Sequence, residues 1–187
     1  MAIIHKATLT PKKPDLISAW LDSQSWAGQG STDVLGTYRF DDPAGEVGVE
    51  VFLLRHAGQL LHLPLTYRGA PLPDHGDHLV GTLEHSVLGT RWVYDGSADE
   101  VALTCFRQAL EGEQEQAELE VWDEGRVVEH RPQQVLIFRE TGGESEGSGA
   151  AGEEQVLLTR VLGEEPEGTW RLLARYGDQQ WVVAALA

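Results

Sequence analysis

Apolar residues fall at every second position over most of this chain, and that alternation predicts strands rather than helices. Val47, Val49, Val51 and Leu53 alternate with Glu46, Gly48 and Glu50, which predicts a half-buried strand over 46–55. A run over 34–40 precedes it, across the turn cluster Asp41-Asp42-Pro43-Ala44-Gly45. Another over 60–67 follows, across His56-Ala57-Gly58-Gln59. The three read as an antiparallel meander. Pro64 has no N–H to give a ladder, so the third strand is expected at an edge or with a bulge. Residues 2–10 alternate weakly. Residues 81–88 and 91–94 form two short runs after a loop over 68–78 that holds Gly69, Pro71, Pro73 and Gly76. Further strands are expected over 115–122, 126–130, 134–140, 155–162, 169–176 and 180–185, the last two joined by a hairpin at Gly177-Asp178.

Two stretches switch to the helical period. Leu16, Ile17, Trp20 and Leu21 line one face of a short helix with Pro14 in its first turn, where a missing N–H costs nothing. Ser97-Ala98-Asp99-Glu100 reads as a capping box, with Ser97 as N-cap and Glu100 at N3. Ala102, Cys105, Phe106 and Ala109 then give a buried stripe that Gly112 ends, predicting a helix over about 98–111. The fold class expected is α+β: mainly antiparallel sheet, a short N-terminal helix and one central helix. Residues 1–112 and 113–187 are expected to pack as one unit. A flexible loop is expected at 142–154, which has no apolar residue larger than alanine to offset its ordering entropy.

Charge narrows the partners. Of 187 residues, 14 are Lys or Arg and 30 are Asp or Glu, a net charge of -16. Such a surface repels phosphate backbones and anionic lipid, so neither nucleic acid nor membrane is expected to bind. Cys105 is the one cysteine, and no apolar run suits a signal peptide or a membrane span. Both features point to the cytoplasm.

Four blocks carry a resemblance: RFDDPAGEVGVE from Arg39, PLTYRGAPL from Pro64, GTLEHSVLG from Gly81 and RWVYD from Arg91. In this order they resemble the N-terminal cap region of actinobacterial maltokinases, over about the first 110 residues. The resemblance implies a cap-like fold without the helical catalytic lobe of an aminoglycoside-phosphotransferase-type kinase. It also implies a setting in α-glucan and trehalose metabolism.

The chemistry-bearing residues cluster in 60–106. Asp74-His75-Gly76-Asp77-His78 imitates the start of a phosphotransferase catalytic loop. That chemistry needs a metal-binding Asn about five residues after the Asp. Thr82 stands there, and the chain contains no asparagine. His75, Asp77 and His78, with Glu84 and His85 nearby, are the candidate metal ligands, being imidazoles and carboxylates. They lack the i, i+4 helical spacing of a zinc motif. Glu84, His85 and Ser86 lie in sequence like a triad, yet neighbours on a strand face opposite ways. Tyr67, Arg68, Glu84, His85, Trp92 and Tyr94 are the candidate ligand-binding residues, because aromatic faces with a few fixed polar groups suit sugar rings. Cys105, inside the helix stripe, reads as inert core. The function expected is a non-catalytic cap-like module with no cofactor, binding a protein partner or a carbohydrate metabolite. The alternatives are a sugar- or sugar-phosphate-binding protein and a metal-assisted enzyme using the His75–His78–His85 region.

Overall fold

The computed structural model describes residues 2–5, 7–123, 125–141 and 154–187, with backbone alone for 2–5. The elements in order are β1 (Ala2–His5), β2 (Leu9–Thr10), α1 (Lys13–Ser23), β3 (Thr32–Asp41), β4 (Gly48–His56), β5 (Gln59–Arg68), β6 (Leu79–His85), β7 (Gly89–Asp95) and α2 (Glu100–Glu111). They continue with β8 (Leu119–Asp123), β9 (Arg126–Arg131), β10 (Leu136–Thr141), β11 (Val156–Leu158), β12 (Trp170–Tyr176) and β13 (Gln179–Leu186). The α+β class and the antiparallel predominance stand as expected. The loop expected at 142–154 lies, apart from Glu154, outside the described residues. No helix among the described residues is long and apolar enough to cross a membrane.

A six-stranded sheet ordered β2-β6-β7-β5-β4-β3 is the centre of the packing. On one face Ile17, Trp20 and Leu21 of α1 cover Phe52, Leu54, Leu61, Leu63, Leu65, Leu83 and Val93. On the other, Tyr38, Phe40, Val49, Val51 and Leu53 meet Ala102, Cys105, Phe106, Ala109 and Leu110 of α2. Leu172, Ala174, Val183, Ala184 and Leu186 from a four-stranded sheet ordered β10-β12-β13-β11 complete that cluster. Strand β4 is therefore buried on both faces, not one. The alternation in its first half gives way to the continuous run Val51-Phe52-Leu53-Leu54, which is what a doubly covered strand requires. A third sheet, β1-β8-β9, pairs β1 with β8 in parallel.

Pro64 lies in an interior strand, contrary to the edge position expected. Next to β5, opposite β4, β7 pairs only with Leu65–Arg68. Lower down, residues 160–162 take over: His62 N donates to Arg160 O at 3.0 Å and Leu162 N to Leu60 O at 2.9 Å. Pro64 falls at the gap between these partners, where a missing N–H leaves no bond unmade. The chain turns away there at Gly96, where a Cβ would lie 3.0–3.1 Å from Pro64 atoms, two of them backbone.

The capping box does not form. Asp95 accepts from Ser97 N (3.1 Å) and Ser97 Oγ (2.8 Å), which draws Ser97 into a 3-10 turn over Gly96–Ala98. Asp99 caps α2 instead, accepting from Val101 N at 3.0 Å, so the helix begins two residues later than expected. Gly112 ends it as expected, with φ 83° in the left-handed region that favours glycine. Phe106 is fully buried and packs edge-on to Phe40 at 5.2 Å between ring centroids. Phe106→Ala is expected to cost about 3–5 kcal/mol, read as a lower urea midpoint with unchanged slope.

Candidate functional site

The residues singled out in 60–106 divide between the two faces of the six-stranded sheet. Tyr67 packs with the α1 side. Arg68 and Trp92 pair in register on the other face, with Thr66 and Tyr94 beside them. The proposed grouping of Tyr67 with Arg68, Trp92 and Tyr94 is thus split by the pleat. Glu84 and His85 are split in the same way. Glu84 accepts from Thr90 Oγ1 at 2.8 Å, while His85 Nδ1 accepts from the backbone of Val87 and Leu88 and closes the β6–β7 hairpin. Ser86 Oγ accepts from Thr8 N, so the three residues do not form a relay.

Most of these polar groups are already engaged. Arg68 donates Nε and Nη2 to Asp99 at 2.8 and 2.6 Å, and Thr66 Oγ1 donates to the same carboxylate at 2.6 Å. Burial pushes the Asp99 carboxyl up, but the bonds from Arg68, Thr66 and the Val101 N–H outweigh it and hold the pKa below the usual range. Arg68 is therefore a brace on the α2 cap. Tyr94 is buried and its hydroxyl accepts from Leu72 N at 2.8 Å, pinning the loop that follows β5. In that loop His75 Nδ1 donates to Pro73 O at 2.7 Å. Asp77 and His78 are exposed on a 3-10 turn, and the two imidazoles are 6.3 Å apart. Among the described residues no three His, Cys, Asp or Glu side chains are grouped to hold a metal ion. Trp92 belongs to neither apolar cluster and has Thr82 and Arg68 as cross-strand neighbours.

Three polar centres escaped the sequence reading. The first is Glu50 on the α1 face, held by Arg39 Nη2 at 2.9 Å and by the Lys13 ammonium. Burial raises its pKa, but Arg39 and Lys13 win and hold it at about 2. Tyr67 closes this centre, with the Lys13 ammonium 4.7 Å from its ring centroid. Burial, reinforced by Glu50, pushes its hydroxyl well above the ordinary value. The second is Arg160, which donates to Asp95 Oδ2 (2.7 Å) and Ser97 Oγ (2.8 Å) and lies over the Trp26 ring at 4.6 Å. The third is His62, fully buried, with Nδ1 donating to Thr159 O and Nε2 accepting from Tyr38 OH, both at 2.8 Å. Each interrupts an apolar run, Glu50 in VEVFLL, His62 in LLHLPL and Arg160, next to Thr159, in LLTRVL, and that interruption was the available signal. Cys105 is buried, which pushes its thiol up to about 11 and keeps it unreactive.

Burial holds His62 at about 4 against an ordinary 6.5. As pH falls through that window, the unfolded chain binds a proton that the folded chain does not, so stability falls. Glu50, at about 2 against 4.5, adds a second loss as pH falls below the unfolded value. Urea midpoints measured against pH should show both declines, and His62→Gln should flatten the first; an unchanged slope would contradict the assignment. Glu50→Gln leaves Arg39 and Lys13 without an anion. A fully buried pair broken this way loses about 3–5 kcal/mol. Because the Arg39 and Lys13 side chains keep 18% and 22% of their exposure, about 2–3 kcal/mol is expected by chemical denaturation.

The family model described as the maltokinase N-terminal cap domain matches residues 20–99. Neither the curated proteins nor the solved structures yield a match. The matched span runs from the last turn of α1, through the strands of the central sheet that follow it, to the Asp99 cap of α2. Residues 20–99 resemble the maltokinase N-terminal cap domain, and they account for most of the six-stranded sheet of this chain.

Proposed function

We propose that this protein is a non-catalytic, cap-like module that binds or regulates a partner in or near α-glucan and trehalose metabolism. The observation that carries the reading is the internal engagement of the polar groups in the cap-like segment. Arg68 braces Asp99, Tyr94 holds the Leu72 backbone, and His85 closes its own hairpin. A reaction centre needs groups left free to meet a reacting atom, whereas these groups fix the shape of a surface. The match to a cap domain over residues 20–99 supports the same reading. In a coupled assay with maltose and ATP, the purified chain should release no ADP above the protein-free rate. Added to a maltokinase or another α-glucan enzyme, it should change that enzyme's kcat or KM. Sustained phosphorylation by the chain alone would overturn the proposal.

A second reading is favoured by Trp92. This indole lies outside both apolar clusters, beside Thr82 and on the same sheet face as Glu84 and Thr90. An aromatic face flanked by hydroxyls and a carboxylate suits a neutral sugar ring. A thermal-shift panel of sugars should then give a rise in melting temperature that Trp92→Ala removes. A rise of equal size in the variant would exclude this face.

A further inference from the structure

The β6–β7 hairpin is packed on one face of the six-stranded sheet only. Leu83 and Val93 join the apolar cluster under α1. On the opposite face Trp92 pairs in register with Thr82, and Thr90 with Glu84. Thr82 and Glu84 are exposed, Thr90 and Trp92 are half-buried, and no residue of the hairpin enters the α2-side cluster.

Trp92 stands apart from the other five tryptophans of the chain. Trp20 and Trp26 pack in the α1-side cluster, and Trp170 and Trp181 against the α2-side cluster. Trp122 donates its indole N–H to Glu120 at 3.0 Å. Two of these rings also carry a guanidinium: Arg160 lies 4.6 Å from the centroid of Trp26, and Arg139 lies 3.2 Å from that of Trp170. Among the described residues Trp92 has no apolar cluster, no indole hydrogen bond, no ring partner and no cation over it. Its cross-strand neighbour Arg68 is held by Asp99 instead. One pair further along the same face, Glu84 accepts from Thr90 Oγ1, and no lysine or arginine among the described residues neutralises it.

The tip of the hairpin follows at once. Val87 and Leu88 keep 56% and 44% of their surface in water. Their backbone is pinned: His85 Nδ1 accepts from Val87 N and Leu88 N at 3.2 and 3.1 Å, and Ser86 N donates to Thr8 O at 3.0 Å. Held in this way, the two side chains stay in water unless another molecule covers them.

We infer that this hairpin docks a segment of a protein partner that carries an arginine next to an apolar residue. The inference rests on the reading of the chain as a partner-binding module. The guanidinium lies over the Trp92 ring and donates to the Glu84 carboxylate, and the apolar residue covers Val87 and Leu88. An indole face attracts a cation through its quadrupole. A guanidinium is planar and weakly hydrated, so it stacks there readily, as Arg160 and Arg139 do on the chain's own tryptophans. The net charge of -16 draws a cationic segment towards the whole surface, and Trp92 with Glu84 decides where it settles. A neutral sugar gains nothing from that charge and leaves the apolar tip uncovered.

Fluorescence anisotropy of a labelled hexapeptide alternating arginine and leucine, titrated with the full chain at low salt, tests this. The peptide should bind, and added salt should weaken it. The same peptide with citrulline or glutamate for arginine should not bind. Trp92→Ala should weaken binding about fivefold or more, and Trp92→Phe, which keeps a ring of weaker quadrupole, by less. Glu84→Gln should weaken it too. Glu118→Gln, the same change of charge at an exposed site outside the hairpin, should not. Leu88→Ser should weaken binding with every charge intact. If Trp92→Ala unfolds, Trp92→Phe and Glu84→Gln decide the matter. A parent that does not bind the peptide, equal binding of the citrulline form, or full affinity in Trp92→Phe and Glu84→Gln would overturn the inference. An effect on an α-glucan enzyme that these two variants keep whole would also exclude the hairpin, while leaving the partner-binding reading intact.

Discussion

Strand β5 is longer than the strand beside it, and the backbone groups left over must be bonded inside the protein. Between two apolar layers there is no water to take them. Residues 160–162 supply the missing bonds at Leu60 and His62, and much else follows from that short piece of chain. Val161 packs with the α1 side of the sheet and Leu162 with the α2 side. The Arg160 side chain then reaches Asp95 and Ser97, in the turn that leads into α2. The same insertion places the Thr159 carbonyl over His62, which explains why an imidazole is tolerated between two layers of apolar side chains. A gap in one ladder thus sets the path of a segment nearly a hundred residues away in sequence.

The two helices, the meander and the closing hairpin were legible because each rests on local periodicity and turn chemistry. What could not be read were outcomes decided by distant partners. Ser97 has the right spacing for a capping box, but Asp95 competes for it and Asp99 is secured as the cap by Thr66 and Arg68 from β5. Pro64 has the local mark of an edge strand, and nothing near it in sequence discloses the partner at 160–162. The run expected to be a strand over 155–162 keeps only Val156–Leu158 as strand, because its later residues are taken by β5.

The candidate binding residues show the same limit in another form. Proximity in sequence joined Tyr67 to Arg68, and the pleat parted them, as it was expected to part Glu84 from His85. The isolated charges Glu50 and Arg160 could have been flagged as interruptions of apolar runs. Their partners, Arg39 with Lys13 and Asp95 with Ser97, are not adjacent in the sequence. In this protein the sequence order of polar residues says little about which of them meet, since strand pairing and the inserted segment do the sorting.

Ala117 N donates to Arg39 O and Gln114 Nε2 to Asp41 O at the end of β3, and these two bonds bear on how a gene for such a protein can be cut and rejoined. The segment resembling a maltokinase cap ends at residue 99. Yet β3, within it, has the Arg39–Asp41 end of its outer edge covered by Gln114 and Ala117, and its apolar face by α2, β12 and β13. A recombination that lifted residues 20–99 alone into another coding sequence would move a sheet with an open margin and an uncovered face. Exchange at that boundary succeeds only where the recipient chain brings its own substitute for both, so this boundary of sequence similarity is not a boundary of independent inheritance.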